Sequence, residues 1–203
     1  MKEAVAEVTT KKRFINVGGG PRATMPGAYS NWECVWLDID PLVEPDIVCD
    51  ARELNKLEAN QFDAVYCSHN LEHYFRHDAL KVLQGFLHIL NDDGFAHIIV
   101  PDVQEVMRKA VSENLDIGDV LYESELGPIK IRDIIYGLEP QIEQSGNDYY
   151  AHKTGFSPKS LLDFMVQAGF YKVYVKDFKE QYEMVAVGFK NEPSDDAKKF
   201  WGL

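Results

Sequence analysis

The sequence predicts an α/β protein with a doubly wound, mostly parallel sheet. Short apolar strands alternate with helical segments over the first hundred residues, an order typical of a parallel sheet covered on both faces. A glycine-rich turn, Gly18 to Gly20, follows the first strand, and Asp38 ends the second. Two strands near the carboxyl end are close enough to pair as a hairpin. With 203 residues, the chain is expected to form one domain, residues 1–203, that buries its own core.

Five strands are predicted in the first half of the chain, at Arg13–Val17, Glu33–Asp38, 46–49, 62–67 and 95–100. A helix over 78–90 separates the last two and carries leucine and phenylalanine on one face. The polar residues 91–94 are predicted to end that helix in a turn. Asp102 is then expected to cap a helix over 103–114, with Glu105 completing a capping box.

Residues 103–155 are predicted to be an insertion that covers the active edge of the sheet, built from short amphipathic pieces at 117–126 and 129–136. Ser157 and Pro158 are good first residues for a helix that stops at Gly169. Strands over 172–176 and 183–189 follow. The ends, 1–12 and 191–203, are expected to be loosely ordered, unless Phe200 and Trp201 dock the tail.

Charge and composition narrow the classes of partner. Acids outnumber bases 33 to 21, giving a net charge of −12, which disfavours nucleic acid and anionic membranes. No apolar run approaches the roughly 18 residues of a membrane helix, and the amino terminus does not resemble a signal peptide. Three cysteines without a Cys-x-x-Cys spacing indicate reduced thiols and a cytoplasmic protein. The sequence leaves the oligomeric state open between monomer and homodimer.

Polar residues follow each predicted strand of the sheet. In doubly wound sheets ligands bind outside the carboxyl ends of the strands, so these residues should converge on one rim. Glycines let the backbone approach a ligand closely, and an acid about 20 residues later can accept hydrogen bonds from a ribose. A nucleoside-bearing cofactor is therefore predicted. Gly18-x-Gly20-x-x-Ala23 also fits a dinucleotide fingerprint, but Pro21 and Pro26 leave little room for the helix that a pyrophosphate needs.

Together these segments resemble the successive motifs of class I S-adenosylmethionine-dependent methyltransferases of the type 11 group. The motifs are 16–20, 36–40, 50–51, 62–65 with 68–73, 91–100, 152–157 and 168–170. The resemblance implies a Rossmann-like, seven-stranded sheet with a C-terminal antiparallel strand and a helical insertion after strand 5. It implies S-adenosyl-L-methionine as cofactor, with these candidate binding residues: Asn16, Val17, Gly18, Gly19, Gly20, Asp38, Ile39, Asp50, Ala51, Ser68 and His69.

Within that set the resemblance implies separate roles. Gly18 and Gly20 would let the backbone approach the methionine portion of the cofactor closely. Asp38 would accept hydrogen bonds from the ribose hydroxyls. Ile39 would pack on the adenine, Asp50 and Ala51 would hold its edge, and Ser68 with His69 would lie beside the sulfonium. His152, at the end of the insertion, is the first candidate for a base, with His69 as the second catalytic candidate. The expected acceptor is a small molecule.

Three alternatives remain open at this stage. The chain could be a cofactor-binding protein without activity, or a nicotinamide-dependent oxidoreductase. No metal is predicted, but His69, Glu72, His73 and His152 could together bind a divalent ion. That arrangement is similar to the metal site of methyltransferases that modify the terminal ribose of small RNAs, except that His69 stands where they have a glutamate. The acidic balance of the chain argues against an RNA acceptor.

Overall fold

A computed structural model describes residues 11–20, 26–124 and 127–203. Seven strands form one sheet in the order β3-β2-β1-β4-β5-β9-β8. They are β1 Arg13–Val17, β2 Glu33–Asp38, β3 Ile47–Val48, β4 Phe62–Ser68, β5 Leu90–Pro101, β8 Lys172–Phe178 and β9 Glu183–Phe189. The first five strands pair in parallel, and β9 runs antiparallel to both β5 and β8. The predicted fold class is confirmed.

Six helices accompany the sheet among the described residues: α1 Arg76–Ile89, α2 Val103–Glu113, α3 Ile131–Tyr136, α4 Glu139–Ser145, α5 Pro158–Ala168 and α6 Asp195–Trp201. Short 3-10 turns lie at Gly27–Tyr29, Pro41–Val43, Ala51–Lys56, Leu71–His73 and Lys179–Gln181. In the part of the chain that the structure describes, no helix has the length and apolar character needed to span a bilayer.

The two faces of the sheet bury separate clusters because side chains alternate along a strand. On β1, Ile15 packs into the cluster beneath α1 and α5, whereas Phe14 packs into an aromatic cluster on the opposite face. The first cluster includes Leu83 and Leu161, both completely buried. This two-sided burial explains why the central strands are almost continuously apolar in sequence.

The chain reverses its direction of travel across the sheet next to β1. It passes from β1 to β2 and β3, and then returns to β4 on the other side of β1. The connections on the two sides of this point leave in opposite directions, so the carboxyl ends of β1 and β4 border a crevice. The predicted binding residues lie at this crevice.

Residues 91–94 correct one prediction. They belong to β5 and do not form a turn: Leu90 pairs with Phe62, and Phe95 pairs with Ala64, so a bulge absorbs the intervening residues. The side-chain amide of Asn91 donates a hydrogen bond to the Asp63 carboxylate at 3.1 Å, which satisfies this polar group within the strand. The helix α1 therefore passes into the strand without a loop.

The cap of α2 is confirmed only in part. The Asp102 carboxylate accepts from the backbone N–H groups of Gln104 and Glu105, at 3.0 and 3.2 Å. Glu105, however, pairs with Arg108, and the Asp102 N–H donates to the carbonyl of Tyr182 at 2.8 Å. The capping box is absent because a contact with a distant segment has replaced its second hydrogen bond. At α5 the predicted cap is confirmed, since Ser157 accepts from the Ser160 N–H.

The insertion contains strands as well as helices, and the C-terminal tail is docked on the sheet. A two-stranded antiparallel hairpin, β6 Val120–Ser124 with β7 Gly127–Lys130, precedes α3 in the insertion. Of the two alternatives for residues 191–203, the structure shows the docked one: α6 places Trp201 edge-on against Phe95 and His97, with ring centroids 5.4 and 4.8 Å apart. The predicted loose end over 1–12 lies mostly outside the described residues, as does most of the shortened segment after Gly20.

Candidate functional site

A cavity of about 550 Å³ lies at the carboxyl ends of the parallel strands. Its floor includes Gly18, Gly20 and Asp38 from the first two strand tips. Residues of the insertion line the opposite side, among them Tyr150 and His152. This volume falls within the range of roughly 300–1,000 Å³ that is usual for small-molecule sites. That residues 103–155 cover the active edge of the sheet stays a prediction.

The glycine turn is shaped by left-handed backbone at two positions. Gly18 has φ +69° and Gly20 has φ +57°. A Cβ on Gly18 would lie 2.1 Å from Nδ2 of Asn70, so any side chain there would displace the residue after β4. Around the Cβ position of Gly20 there is open space. The turn therefore presents bare backbone to the cavity at Gly20, while Gly18 allows β1 and the tip of β4 to approach closely.

The Asp38 carboxylate is fixed at the tip of β2. Its Oδ2 accepts from the Gly20 N–H at 3.0 Å, and its Oδ1 accepts from the Asp40 N–H at 3.0 Å. A carboxylate oxygen has capacity for more than one hydrogen bond, so both oxygens can still accept from a ligand. Tyr150 stands nearby on the insertion: burial and then the charges of Asp38 and Asp40 raise the pKa of its phenol.

Asp50 is held by a neighbour that the sequence analysis did not include. Its carboxylate caps the 3-10 turn by accepting from the Arg52 N–H at 2.9 Å, and it also binds the Arg52 guanidinium at 2.5 Å. Arg52 reaches Asp78 as well, at 3.5 Å. Burial opposes the charged form of Asp50, but the bonds from Arg52 outweigh it and lower the pKa. In sequence, an arginine two residues after an acid looks the same whether the ion pair lines a cavity or lies on the surface.

Five of the predicted cofactor residues do not line the cavity: Asn16, Val17, Gly19, Ala51 and Ser68. Val17 and Ala51 are 1% and 2% exposed, and their side chains belong to the core. Asn16 is also buried, and its amide lies beneath Gly19. Because these three side chains are buried, any contribution that Asn16, Val17 and Ala51 make to a ligand would come from backbone atoms.

His69 lies at the tip of β4 between two carboxylates. Its Nδ1 is 3.5 Å from Glu72, and its Nε2 is 3.3 Å from Glu183. Burial disfavours the imidazolium, but the bonds to Glu183 and Glu72 outweigh it and raise the pKa of His69 to about 10. The ring is held in this position by a left-handed backbone, φ +48°, that a histidine rarely adopts. The raised pKa favours the protonated ring of His69.

Glu72 forms a buried charge beside three histidines. It is 1% exposed, and apart from the contact with His69 neither carboxylate oxygen has a hydrogen-bond partner among the described residues. Burial alone would raise its pKa, but His69, His73 and His152 together lower it. One ligand atom from each of Glu72, His73 and His152 lies within 4.8 Å of the others, a spacing that could hold a metal ion.

His73 and His152 differ in how their ring nitrogens are used. Both nitrogens of His73 face carbonyl oxygens, Nδ1 that of Ala151 at 3.2 Å and Nε2 that of His69 at 3.0 Å. His152 donates from Nδ1 to the carbonyl of Ile134 at 2.8 Å. Burial, which outweighs the charge of Glu72, lowers the pKa of His152. The neutral ring of His152 then keeps a lone pair on Nε2.

Comparison with known proteins agrees with this architecture. Residues 29–114 match a family model described as a methyltransferase domain. No curated protein matches the sequence. A SAM-dependent methyltransferase from Archaeoglobus fulgidus has a TM-score of 0.56 at 14% identity, over 88% of this chain and 86% of its own. A methyltransferase from Haloferax volcanii, solved in complex with the Trm112 methyltransferase activator, has a TM-score of 0.58 at 11% identity, over 93% and 87%. A SAM-dependent methyltransferase from Thermotoga maritima has a TM-score of 0.51 at 16% identity, over 91% and 84%.

The chain thus matches a methyltransferase domain over residues 29–114, and its fold is that of S-adenosylmethionine-dependent methyltransferases. It is accordingly an enzyme, and its cofactor is S-adenosylmethionine. The match to a methyltransferase domain favours methyl transfer over the nicotinamide oxidoreductase that the sequence left open. The structural likenesses, all at low identity, establish the fold of the methyltransferase and leave its acceptor undefined.

Several cavity residues of the methyltransferase escaped the sequence analysis. Tyr122 comes from β6, Tyr182 directly precedes β9, and Glu183 is the first residue of β9. The rings of Tyr122 and Tyr182 stack with centroids 5.6 Å apart. Glu183 is 114 residues away from His69 in sequence, and no local pattern connects them. The antiparallel insertion of β9 beside β5 brings them together, and only the sheet order shows this.

Proposed function

We propose that the methyltransferase transfers the methyl group of S-adenosylmethionine to a small-molecule acceptor bound beneath residues 103–155. One observation carries this proposal: the Asp38 carboxylate, fixed by two backbone N–H groups, lies beside Gly18 and Gly20 on the floor of a covered cavity. A carboxylate in this position can accept from both hydroxyls of a ribose.

The cofactor would lie along the tips of β1, β2 and β3. Gly20 offers open backbone for the methionine portion, and Asp38 takes the ribose. Ile39 lines the cavity and supplies an apolar surface for the adenine, while Asp50 is positioned by Arg52 at its edge. Ala51 would contribute through its backbone, because its side chain is buried. S-adenosylmethionine supplies a methyl group already bonded to a sulfonium sulfur, so the protein's main task is alignment.

The acceptor would occupy the other end of the cavity. In the sheet order, β2 and β9 are separated by β1, β4 and β5, so Asp38 and Glu183 lie four strand spacings apart, roughly 19 Å. His69, at the tip of β4, lies between these ends and beside the expected position of the sulfonium. Its own charge is compensated by Glu72 and Glu183.

His152 is the residue that we assign as the base. It lines the cavity, its Nδ1 is committed to the Ile134 carbonyl, and its lowered pKa keeps the ring neutral. The remaining Nε2 can accept a proton from an acceptor as it is methylated. His69 serves as a fixed cation and not as a second base.

The insertion and the sheet are expected to act as one domain over residues 1–203. The backbone N–H groups of Lys153 and Thr154 donate to the carbonyl of Glu72, at 2.8 and 3.1 Å, and fasten the end of the insertion to the tip of β4. The base is thereby held against the sheet. The cytoplasmic location stays a prediction from the sequence, as does the oligomeric state.

Metal-assisted transfer is a second candidate, favoured by the unpartnered Glu72 carboxylate beside His73 and His152. A metal at this place would have to displace one of the carbonyls that face the ring nitrogens of His73, so we place transfer without a metal first. Chelator treatment followed by Mn²⁺ or Zn²⁺ separates the two. Activity that disappears and then returns with the metal would establish the second candidate.

Two measurements test the proposed function. Calorimetry should show binding of S-adenosylhomocysteine and none of NADH. Incubation with S-adenosylmethionine and a panel of metabolites should then release S-adenosylhomocysteine with at least one small-molecule acceptor. A protein that binds NADH and not the nucleoside thioether contradicts the proposal.

A further inference from the structure

The charges around the cavity are unequal. Among the residues that the structure describes, seven carboxylates line it: Asp38, Asp40, Asp50, Asp78, Asp133, Asp148 and Glu183. Of the permanently charged bases in these same ranges, two line it, Arg52 and Lys153. A concave site with one predominant sign of charge concentrates ligands of the opposite sign. The cavity therefore favours cationic ligands over anionic ones.

Both bases are already paired with carboxylates. Arg52 binds Asp50 and Asp78, at 2.5 and 3.5 Å. The Nζ of Lys153 lies 3.0 Å from Asp148. An acceptor that carries a carboxylate or phosphate would have to break one of these pairs or be buried without a counter-charge, and burying an unpaired charge is costly.

The acceptor end has its own recognition surface, formed by Tyr122, Tyr182 and Glu183. The two tyrosine rings stack at an interplanar angle of 16°. Glu183 directly follows Tyr182 in the chain and lines the same cavity as both rings. A carboxylate beside aromatic rings is a favourable environment for an ammonium group.

The backbone holds this surface in a strained conformation. Tyr182 has φ +54°, and its carbonyl accepts from the Asp102 N–H at 2.8 Å, which fixes the turn before β9. His69 contacts two carboxylates, Glu72 at 3.5 Å and Glu183 at 3.3 Å, so acidic groups outnumber basic ones at this place. Left-handed backbone at bulky residues persists where the surrounding structure imposes it, and it clusters at functional sites.

We propose that the methyl acceptor is a small organic amine that binds as an ammonium ion to Glu183 between His69 and the stacked Tyr122 and Tyr182. The inference rests on the proposed function and adds the class of acceptor. The bound ammonium first loses a proton to solvent, which frees the nitrogen lone pair. That lone pair then forms the N–CH₃ bond as the S–CH₃ bond breaks, and the electron pair of the broken bond stays on sulfur.

The experiment uses matched sets of probes on the full chain loaded with S-adenosylhomocysteine. One set is phenethylamine, phenethyl alcohol and phenylacetate; the other is butylamine, butanol and butyrate. Calorimetry should show that the amine of at least one set binds about tenfold or more tightly than its alcohol, the effect of one hydrogen bond to a charged group. The acid should bind most weakly, and added salt should reduce the preference for the amine.

Glu183→Gln is the informative variant, and Glu180→Gln is its matched control. Both remove one negative charge from the same turn, but Glu180 is exposed and does not line the cavity. Glu183→Gln should abolish the preference for the amine, whereas Glu180→Gln should leave it unchanged. An equal loss in both variants would overturn the assignment to Glu183.

The outcomes separate this inference from the proposed function. Binding of S-adenosylhomocysteine together with a preference for the alcohol or the acid overturns the amine inference and leaves the methyltransferase function intact. Failure of every amine to bind the loaded protein overturns it as well. Failure to bind S-adenosylhomocysteine would instead remove the proposed function on which the inference rests.

Discussion

Replacing Asp38 with alanine tests the cofactor site most directly. The carboxylate makes two hydrogen bonds within the protein, to the N–H groups of Gly20 and Asp40, and in the proposed complex it also accepts from the ribose hydroxyls. Loss of the charged bonds to the ribose should weaken S-adenosylhomocysteine binding by about 2–3 kcal/mol. That loss corresponds to an increase in Kd of roughly 30- to 150-fold.

The same substitution also releases two backbone donors at the turn, so a change in folding has to be excluded. These donors lie at the cavity and can bond to water, which limits the expected loss of stability to about 1–2 kcal/mol. Asp38→Asn retains the shape and one acceptor oxygen and should weaken binding less than Asp38→Ala. Asp163→Ala removes a carboxylate from an exposed position on α5 that is far from the cavity lining, and it serves as the control for net charge.

Calorimetric titration of all four proteins with S-adenosylhomocysteine, alongside urea denaturation, gives the comparison. The expected order of affinity places wild type and Asp163→Ala together, Asp38→Asn below them and Asp38→Ala last. If Asp38→Ala binds as tightly as the wild type while remaining folded, the ribose is held elsewhere and the reasoning from the strand tips is refuted.

Three further predictions follow from the same geometry. Gly18→Ala should destabilise the protein by about 1–3 kcal/mol more than Gly20→Ala, as measured by urea denaturation. Both glycines have positive φ, but only a Cβ at Gly18 would clash with Asn70. Equal losses of stability would contradict the close approach of the two strand tips. His152→Gln should lower kcat by about 10²–10⁴-fold with little change in cofactor affinity. The control His77→Gln, at an exposed ring outside the cavity, should leave kcat unchanged. Equal kcat values in the two variants would exclude His152 as the base. Burial lowers the pKa of His97 to about 4 in the folded protein, below its value near 6.5 in the unfolded chain. The neutral His97 ring therefore contributes to folding stability above the unfolded pKa, and this contribution is lost as the pH falls towards 4. Between pH 7 and pH 5 the wild type should therefore lose about 2 kcal/mol more than His97→Gln, as measured from urea midpoints, and parallel losses would show that His97 does not stay neutral in the folded protein.

Local sequence predicted the elements whose causes are local. β1 and β2 were predicted to the residue, because each is an apolar run bounded by a turn or an acid. Ser157 and Asp102 were identified as caps, because a side chain that accepts from the second or third N–H of a helix needs only its neighbours. The bulge at 91–94 was missed because pairing with β4, and not local turn propensity, decides the conformation of those residues.

The candidate site also contains residues that local sequence predicted and residues that it did not. Gly18, Gly20, Asp38, His69 and His152 were predicted from the sequence and do line the cavity. Their roles stay proposals until the binding and kinetic experiments are done. Arg52, which holds Asp50 and Asp78, could not be recognised from a polar stretch of sequence.

The sequence by itself determined the fold class and predicted a nucleoside-bearing cofactor, because alternating strands and a glycine turn followed by an acid are patterns within some 25 residues; S-adenosylmethionine followed from the resemblance of the whole set of motifs. The tertiary structure alone decided one wall of the site. Glu183 meets His69 and Tyr182 stacks on Tyr122 because β9 runs antiparallel beside β5 and the insertion folds back over the strand tips. The opposite pKa shifts of His69 and His152 follow from those distant contacts, since burial and neighbouring carboxylates set a pKa, and no sequence spacing encodes either.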